Sequence, residues 1–295
     1  ELDAVVAFEL AKTECNLQTG YTGYTPQTFS QTIFDYADRL NFDKPFILHA
    51  DHQTVKNTSE EEITSTAELI AAEIEAGYTS FAIDASYNEL KDNIAINVRL
   101  APAILKQGLG LEVEVGEIKL IKYGGELTTV EEAIHYISSL KEQGIDPNLL
   151  AINNGSQHGN YAPGEEPHID LQRTGKIFNA IRKYDVAIAQ HGITGTPLSM
   201  IGQFADYGIR KGNVGTHWQN IAHQNFPEDL EREMTKWAKE NNKDIKYASK
   251  VFFDDIYSIP EKYKKKIEEA AYHSAKEFLK AFRAEGSVSR LAELL

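Results

Sequence analysis

One cysteine, Cys15, stands among 295 residues. Its isolation excludes an intrachain disulfide, a CxxC redox pair and a thiolate-rich zinc site in one step. A reducing cytoplasm fits, and any metal must be held by histidines and carboxylates. Long apolar runs are missing too: nothing approaches the roughly 18 to 20 unbroken apolar residues that a spanning helix needs, so a membrane is not an expected partner. Long basic runs are equally absent. Lys and Arg number 30 against 44 Asp and Glu, a net charge of −14, which offers no footprint for a phosphate backbone and argues against nucleic acid. No Gly/Ser linker or low-complexity tract divides the chain, so one domain over residues 1–295 is expected. Residue 1 is Glu rather than Met, and no charged n-region with an apolar h-region follows it. No export signal is visible, and the chain is expected to lack its natural start.

What is present is an alternation of short apolar runs, polar loops and amphipathic helices, the pattern of βα units around a parallel sheet. Seven strands are predicted: Ala4 to Leu10, Pro45 to Asp51, Ser80 to Asp84, Leu109 to Val115, Leu149 to Asn153, Val186 to Gln190 and Gly208 to Val214. Ser59 with Glu62 reads as a capping box before the stripe Ile63, Ala67, Ile70 and Ile74, and Gly77 is placed to end that helix. Thr128 with Glu131 repeats the box, and Thr196 followed by Pro197 supplies a cap and a proline at the first helical position. Pro102 is expected to kink or split the helix over Ile94 to Lys106. After Phe226 the pattern is helical only, with candidates Leu230 to Asn241 and Glu261 to Arg283.

Seven parallel strands do not close a barrel and eight do. The fold class expected is therefore α/β, a (β/α)8 TIM barrel over about 1–225 whose first strand is missing from the numbered chain, followed by a helical extension over about 226–295. A doubly wound sheet competes, but it would carry a glycine-rich phosphate loop after its first strand, and here Leu10 is followed by AKTECN.

Barrel strands converge at their C-terminal ends, so reactive side chains there are neighbours whatever their separation in sequence. The second run ends in HADH, where His49 and Asp51 share a face and His52 falls where the strand opens into its loop. His158 lies in GSQHG after the fifth run, and His191 directly follows VAIAQ. Three imidazoles, His52, His158 and His191, at three strand ends suit a Zn²⁺ ion with an open fourth position. His49 reads as support for those ligands. Asp51 would shuttle a proton, or else orient an imidazole. Asp84, closing FAIDAS, and Glu114, in LEVEVG, would hold a second cation or cap the next helix. Two glycine-bearing turns, HGITG and GNVGT, sit where barrels build phosphate sites, which makes Gly192, Thr194, Asn213 and Thr216 candidate contacts.

These motifs resemble, in order, those of the class II metal-dependent ketose-bisphosphate aldolases. HADH looks like the family's HxDH, FAIDAS like its DxS strand, LEVEVG like ExELG, GSQHG like GxxHG, HGITG like HGGSG and GNVGT like NxxT. The resemblance implies zinc at His52, His158 and His191, Asp51 as proton shuttle, and an alternative metal position at Asp84 and Glu114. It places Gly159 and Gly192 in a monovalent-cation and phosphate region and implies a phosphorylated sugar substrate and a homodimer or homotetramer. The chain departs from the pattern at Ile193 and Thr194 in the phosphate turn and at Gly215, where fructose-type members carry Asp. The mobile-loop glycines correspond to Gly124 and Gly125, followed by Glu126 as the second acid/base. Lys265, in IPEKYKK, stands where a neighbouring subunit's basic residue would reach a phosphate. The family's first strand and helix have no counterpart.

The expected activity is reversible aldol cleavage of a ketose phosphate to dihydroxyacetone phosphate and an aldehyde. Rivals are a Schiff-base aldolase, for which Lys211 is the candidate lysine, a sugar-phosphate epimerase on the same metal barrel, and a catalytically silent aldolase-like subunit.

Overall fold

All seven predicted strands form, and they pair in parallel in chain order: β1 (Ala7–Ala11), β2 (Ile47–Thr54), β3 (Ser80–Asp84), β4 (Gly110–Val115), β5 (Leu149–Ile152), β6 (Ala187–Gln190) and β7 (Ile209–Gly212). The computed structural model describes residues 1–116, 126–161, 164–165 and 167–294. The crossovers are α1 (Pro26–Arg39), α2 (Glu60–Glu75), α3 (Leu90–Leu105), α4 (Val130–Glu142), α5 (Leu171–Ile181) and α6 (Leu198–Ile201). Their buried faces, including Ile63, Ile70, Ile96, Ile137 and Ile177, pack on strand residues such as Phe81, Ile83, Val113 and Ile188 in one core.

The sheet is not flat. Six strand spacings of about 4.8 Å would set β1 and β7 roughly 29 Å apart in a flat sheet. Instead Lys211 of β7 lies 3.0 Å from Glu9 of β1 and 3.1 Å from Glu112 of β4. The strands therefore curl around a shared interior lined by their inward residues, with an edge of β1 and of β7 left unpaired among the described residues. An apolar groove of about 600 Å³, lined by Phe8, Ile33, Phe42 and Phe46 among others, runs beside β1.

Helices α7 (Thr216–Gln224), α8 (Glu228–Glu240), α9 (Phe253–Tyr257), α10 (Glu261–Ala281) and α11 (Ser287–Leu294) follow β7. Leu230, Met234, Ala248 and Ile259 form a second, smaller apolar cluster there. The start of α11 is tied to the N-terminal segment, with the Gly286 and Val288 amides donating to the Leu2 and Asp3 carbonyls.

Five local expectations need correction. Strand β2 does not end at Asp51 but runs on to Thr54, through a register shift against β3 between Ala50 and Gln53. Ser59 caps α2 by accepting from the Glu62 amide, but the Glu62 carboxylate accepts from the Lys56 amide rather than closing a box. The box at α4 belongs to Thr129 and Glu132, because the Thr128 hydroxyl is used inside, donating to the Val115 carbonyl. Pro102 neither splits α3 nor stops it: the helix continues to Leu105, and a proline this close to the C-terminal end removes a bond only from the last turns. At α6 the N-cap is Pro197, without a side-chain cap.

Candidate active site

The interior of the curled sheet carries the histidines. Alternation along a strand would set Asp51 and His52 on opposite faces. The bulge in β2 removes that conflict, and His52 adopts φ +39°, a left-handed conformation that a histidine holds only when its surroundings impose it. Asp51 and His52 consequently both face inward. His52 Nδ1 donates to Asp84 Oδ2 at 3.1 Å and lies 3.3 Å from Glu114 Oε2, while its Nε2 is 4.0 Å from Asp51 Oδ2.

His191, directly after β6, is buried and donates from Nε2 to Glu112 Oε1 at 2.7 Å. That bond commits the proton to Nε2 and leaves Nδ1 as a bare lone pair. This buried atom has no hydrogen-bond partner, a costly condition unless a cation shares the site. His158 reaches over from the loop after β5, its ring 5.2 Å from that of His52 and 6.2 Å from that of His191, with those of His52 and His191 4.4 Å apart. One ligand nitrogen from each of the three falls within 4.8 Å of the others. A second group, His52 with Asp84 and Glu114, meets the same limit, so both sets of predicted ligands are assembled around a shared histidine.

The donor set fits a divalent cation. Glu9, Asp51 and Glu112 lie around one ammonium, Lys211, and Asp84 and Glu114 gather on His52, so the interior holds a surplus of negative charge. The titration shifts follow from that crowding. Burial, aided by Asp84, pushes Glu114 up to about 7, and burial pushes Glu9 up to about 8 against the attraction of Lys211. Burial also works against charge on Asp51, but His52 and Lys211 outweigh it and hold Asp51 below its usual range. Burial lowers His191 well below the ordinary imidazole value, with the His52 charge adding to it, and the exposed His158 is lowered as well by the protein around it and by the His52 charge. His52 goes the other way, because Asp51 and Glu114 outweigh its desolvation. Two of the three imidazoles are thus neutral and ready to ligate, and the third must give up a proton to a metal.

Asp51 Oδ1 accepts from Asn213 Nδ2 at 2.8 Å, which leaves Oδ2 directed to the histidine side. The remaining predicted residues do not all join it. Gly192 has φ +68°, and a Cβ there would meet the Gln157 carbonyl oxygen at 2.5 Å, so glycine is what lets the two histidine-bearing loops approach. Gly159 has φ +87° and open space where a side chain would be. The Thr194 hydroxyl accepts from the His217 amide at 3.2 Å, which joins the HGITG turn to the N-terminus of α7, where Thr216 is the first residue and the N-cap, Gly215, has no side chain to cap the helix. Glu126 is exposed, and its carbonyl accepts from Asn153 Nδ2. Gly124 and Gly125 lie outside the described residues. Lys265 is exposed on α10, and no contact joins it to these side chains among the described residues. His49 bonds Ser80 through Nδ1, while its buried Nε2 lacks a partner 3.8 Å from Glu112.

Sequence reasoning missed Glu9 and Glu112 and gave Lys211 a different part. Glu112 was detectable, since it stands two residues before Glu114 in β4 and must share its face. Glu9 offered the same signal, a lone charge inside AFELA.

Residues 4–287 match the family described as fructose-bisphosphate aldolase class-II. Among curated relatives, the chain is 28% identical over 196 residues to the 6-phospho-5-dehydro-2-deoxy-D-gluconate aldolase of Bacillus velezensis, covering 64% of this chain and 60% of that one. It is likewise 28% identical over 215 residues to the fructose-bisphosphate aldolase of Streptococcus pneumoniae serotype 4, covering 70% of this chain and 66% of the relative. Among solved structures, the YdjI aldolase from Escherichia coli K12 superposes with TM-score 0.65 at 22% identity, over 97% of this chain and 85% of that one. The first of these relatives is thus matched over 60% of its length.

Proposed function

The chain belongs to the class II fructose-bisphosphate aldolase family, and from that premise we propose that it cleaves a phosphorylated ketose reversibly to dihydroxyacetone phosphate and an aldehyde, at a Zn²⁺ held by His52, His158 and His191. The observation that carries this reading is the convergence of three imidazole nitrogens within 4.8 Å beside the Asp51 carboxylate. Three nitrogen donors without a thiolate suit zinc, and the Asp84–Glu114 pair offers an alternative position for a second cation. Bound there, a divalent ion supplies Lewis-acid stabilisation of the charge that develops on the ketone oxygen.

The chain's own residues do the rest. Asp51 Oδ2 accepts the C4 hydroxyl proton, the C4 oxygen becomes a carbonyl, and the C3–C4 electron pair passes into the enediolate of dihydroxyacetone phosphate. Asn213 holds the other oxygen of Asp51 in place. Glu126, from the segment after β4, protonates C3 of the enediolate. The Gly192–Thr194 turn and the Thr216 amide at the start of α7 present backbone N–H groups to a phosphate, with Gly159 in the same reading. Lys265 enters this reading only through a neighbouring copy of the chain in a homodimer or homotetramer, because it faces away from its own site. A closed (β/α)8 barrel within one domain belongs to the same reading, with an eighth strand between the free edges of β1 and β7. A cytoplasmic setting accords with the buried free thiol of Cys15.

The Schiff-base alternative needs a neutral amine. Burial disfavours the Lys211 charge, but Glu112 and Glu9 outweigh it and hold the ammonium above the ordinary lysine range, so it is not a nucleophile near neutrality. The intact triad with Asp51 argues against a silent subunit. Purified protein assayed with fructose and tagatose bisphosphates, with and without Zn²⁺, tests the reading: cleavage of one of them is expected, lost in EDTA and restored by zinc. Activity that survives EDTA and is trapped by borohydride overturns it, as does interconversion of the two sugars without cleavage.

A further inference from the structure

Lys211 is held by one hydrogen bond and two ion pairs. Its Nζ donates to Asn213 Oδ1 at 2.7 Å and lies 3.0 Å from Glu9 Oε2 and 3.1 Å from Glu112 Oε2. Asp51 Oδ1 stands further off at 3.9 Å. The lysine therefore does not bond the aspartate itself. It bonds the amide that does.

The consequence lies in the asparagine. With Oδ1 accepting from the ammonium, Nδ2 is the end that faces Asp51 and donates to its Oδ1 at 2.8 Å. Turning the amide over would set NH₂ against the ammonium and a carbonyl oxygen against the carboxylate, exchanging two charge-assisted hydrogen bonds for two repulsions. An asparagine side chain is otherwise nearly symmetric in shape, so the charges on its two sides, Lys211 and Asp51, together decide its orientation. Glu9 and Glu112, on β1 and β4, fix the ammonium from the far side. We propose that Lys211, anchored by Glu9 and Glu112, is a positioning residue that sets the Asn213 amide and through it the Asp51 carboxylate, so that Oδ2 alone is offered to the substrate's hydroxyl proton. This rests on the reading of Asp51 as the proton acceptor.

A lysine that served only to neutralise buried carboxylates would have no reason to act through Asp51, and a double-mutant cycle separates the two roles. Steady-state cleavage is measured for wild type, Lys211→Met, Asp51→Asn and the double variant. Lys211→Met is expected to lower kcat by about 10²-fold, the scale of a general base, with KM changed by no more than about threefold. In the Asp51→Asn background the same substitution is expected to have almost no further effect. Multiplying effects in the double variant, or an unchanged kcat for Lys211→Met, overturns the proposal. Should Lys211→Met not fold, because two carboxylates then face each other, Glu9→Gln with Lys211→Met leaves only Glu112, still bonded by His191, and carries the same expectation. A second readout is independent of turnover. The side-chain ¹⁵N–¹H₂ signal of Asn213, identified by its loss in Asn213→Ser, is expected to shift in the lysine variant and in Asp51→Asn; an unmoved signal in the lysine variant overturns the proposal. Wild-type protein that cleaves no ketose phosphate defeats the aldolase reading, and the amide signal then judges the positioning alone.

Discussion

Glu112→Gln tests how the buried carboxylates support the metal site. Glu112 accepts from His191 Nε2 at 2.7 Å, and both side chains are about 1% exposed, so neither water nor salt can take over the bond. The substitution keeps the shape and, through the amide oxygen, keeps an acceptor for Nε2–H. What it removes is the negative charge that strengthens Nδ1 as a donor. The amide NH₂ then stands where Glu112 Oε2 lay 3.1 Å from the Lys211 ammonium, a donor facing a donor that Lys211 relieves by moving toward Glu9, its partner at 3.0 Å. Outer-shell partners of ligating histidines are worth about 10- to 100-fold in metal affinity, which is about 1.4 to 2.7 kcal/mol. With geometry conserved, the lower end applies to Glu112→Gln and the upper end to Glu112→Ala, which frees the ring to rotate. Zinc affinity is read by competition with a chromophoric chelator at fixed pH, with thermal unfolding followed by circular dichroism as a control on the fold. Affinities within twofold of wild type for both variants would show that His191 does not ligate through Nδ1, and the three-histidine site would have to be rebuilt on other atoms.

Gly192→Ala is expected to release zinc while the sheet stays folded. Its Cβ would meet the Gln157 carbonyl oxygen at 2.5 Å and force the His158 loop away from His191, whereas Gly159→Ala meets nothing within 4 Å and carries only the strain of φ +87°, about 1 to 2 kcal/mol. Full zinc stoichiometry in Gly192→Ala by elemental analysis would refute this. Glu73→Gln is expected to stabilise the chain increasingly toward alkaline pH. Burial raises the Glu73 carboxyl well above its usual 4.5, so the folded chain keeps a proton that the unfolded chain releases. The stability due to that proton is complete below about 4.5 and is lost as pH rises toward the folded value, by up to about 1.4 kcal/mol per pH unit. Gln53 Nε2 already donates to Glu73 Oε1, while Glu73 Oε2 and Gln53 Oε1 have no partner, so a glutamine amide supplies a donor to Gln53 Oε1 that does not depend on pH. Denaturant titrations of both proteins at pH 5 and pH 8 check it; a difference independent of pH would mean that Glu73 is ionised in the fold.

Much of this architecture was legible because a parallel sheet buries both faces, so its strands read as short apolar runs between polar loops. The three histidines were legible for a related reason: each follows such a run, and strand ends in a curled parallel sheet converge. The limits of the reading are equally physical. Adjacent threonines at 128 and 129 offer the same cap, and only the packing of Thr128 beneath Val115 decides that Thr129 takes it. The inward turn of His52 depends on a bulge and on φ +39°, which no periodicity in ILHADHQT announces. Charges inside apolar strands were visible at Glu9, Glu112 and Lys211, but their meaning was not.

A lysine at a strand end reads alone as a nucleophile, because the sequence does not state its partners. Lys211 is two residues from Asn213 along the chain, yet the amide it orients serves Asp51, 162 residues away. That contact exists only because the sheet curls until β7 stands near β1 and β2. Curvature is set by the summed twist and stagger of seven strands rather than by any one of them. A charge whose effect depends on curvature therefore changes its meaning when the fold is known: the buried ammonium that sequence nominates for covalent chemistry is held charged by Glu9 and Glu112, which makes it a poor nucleophile, and it lies against the amide that bonds Asp51.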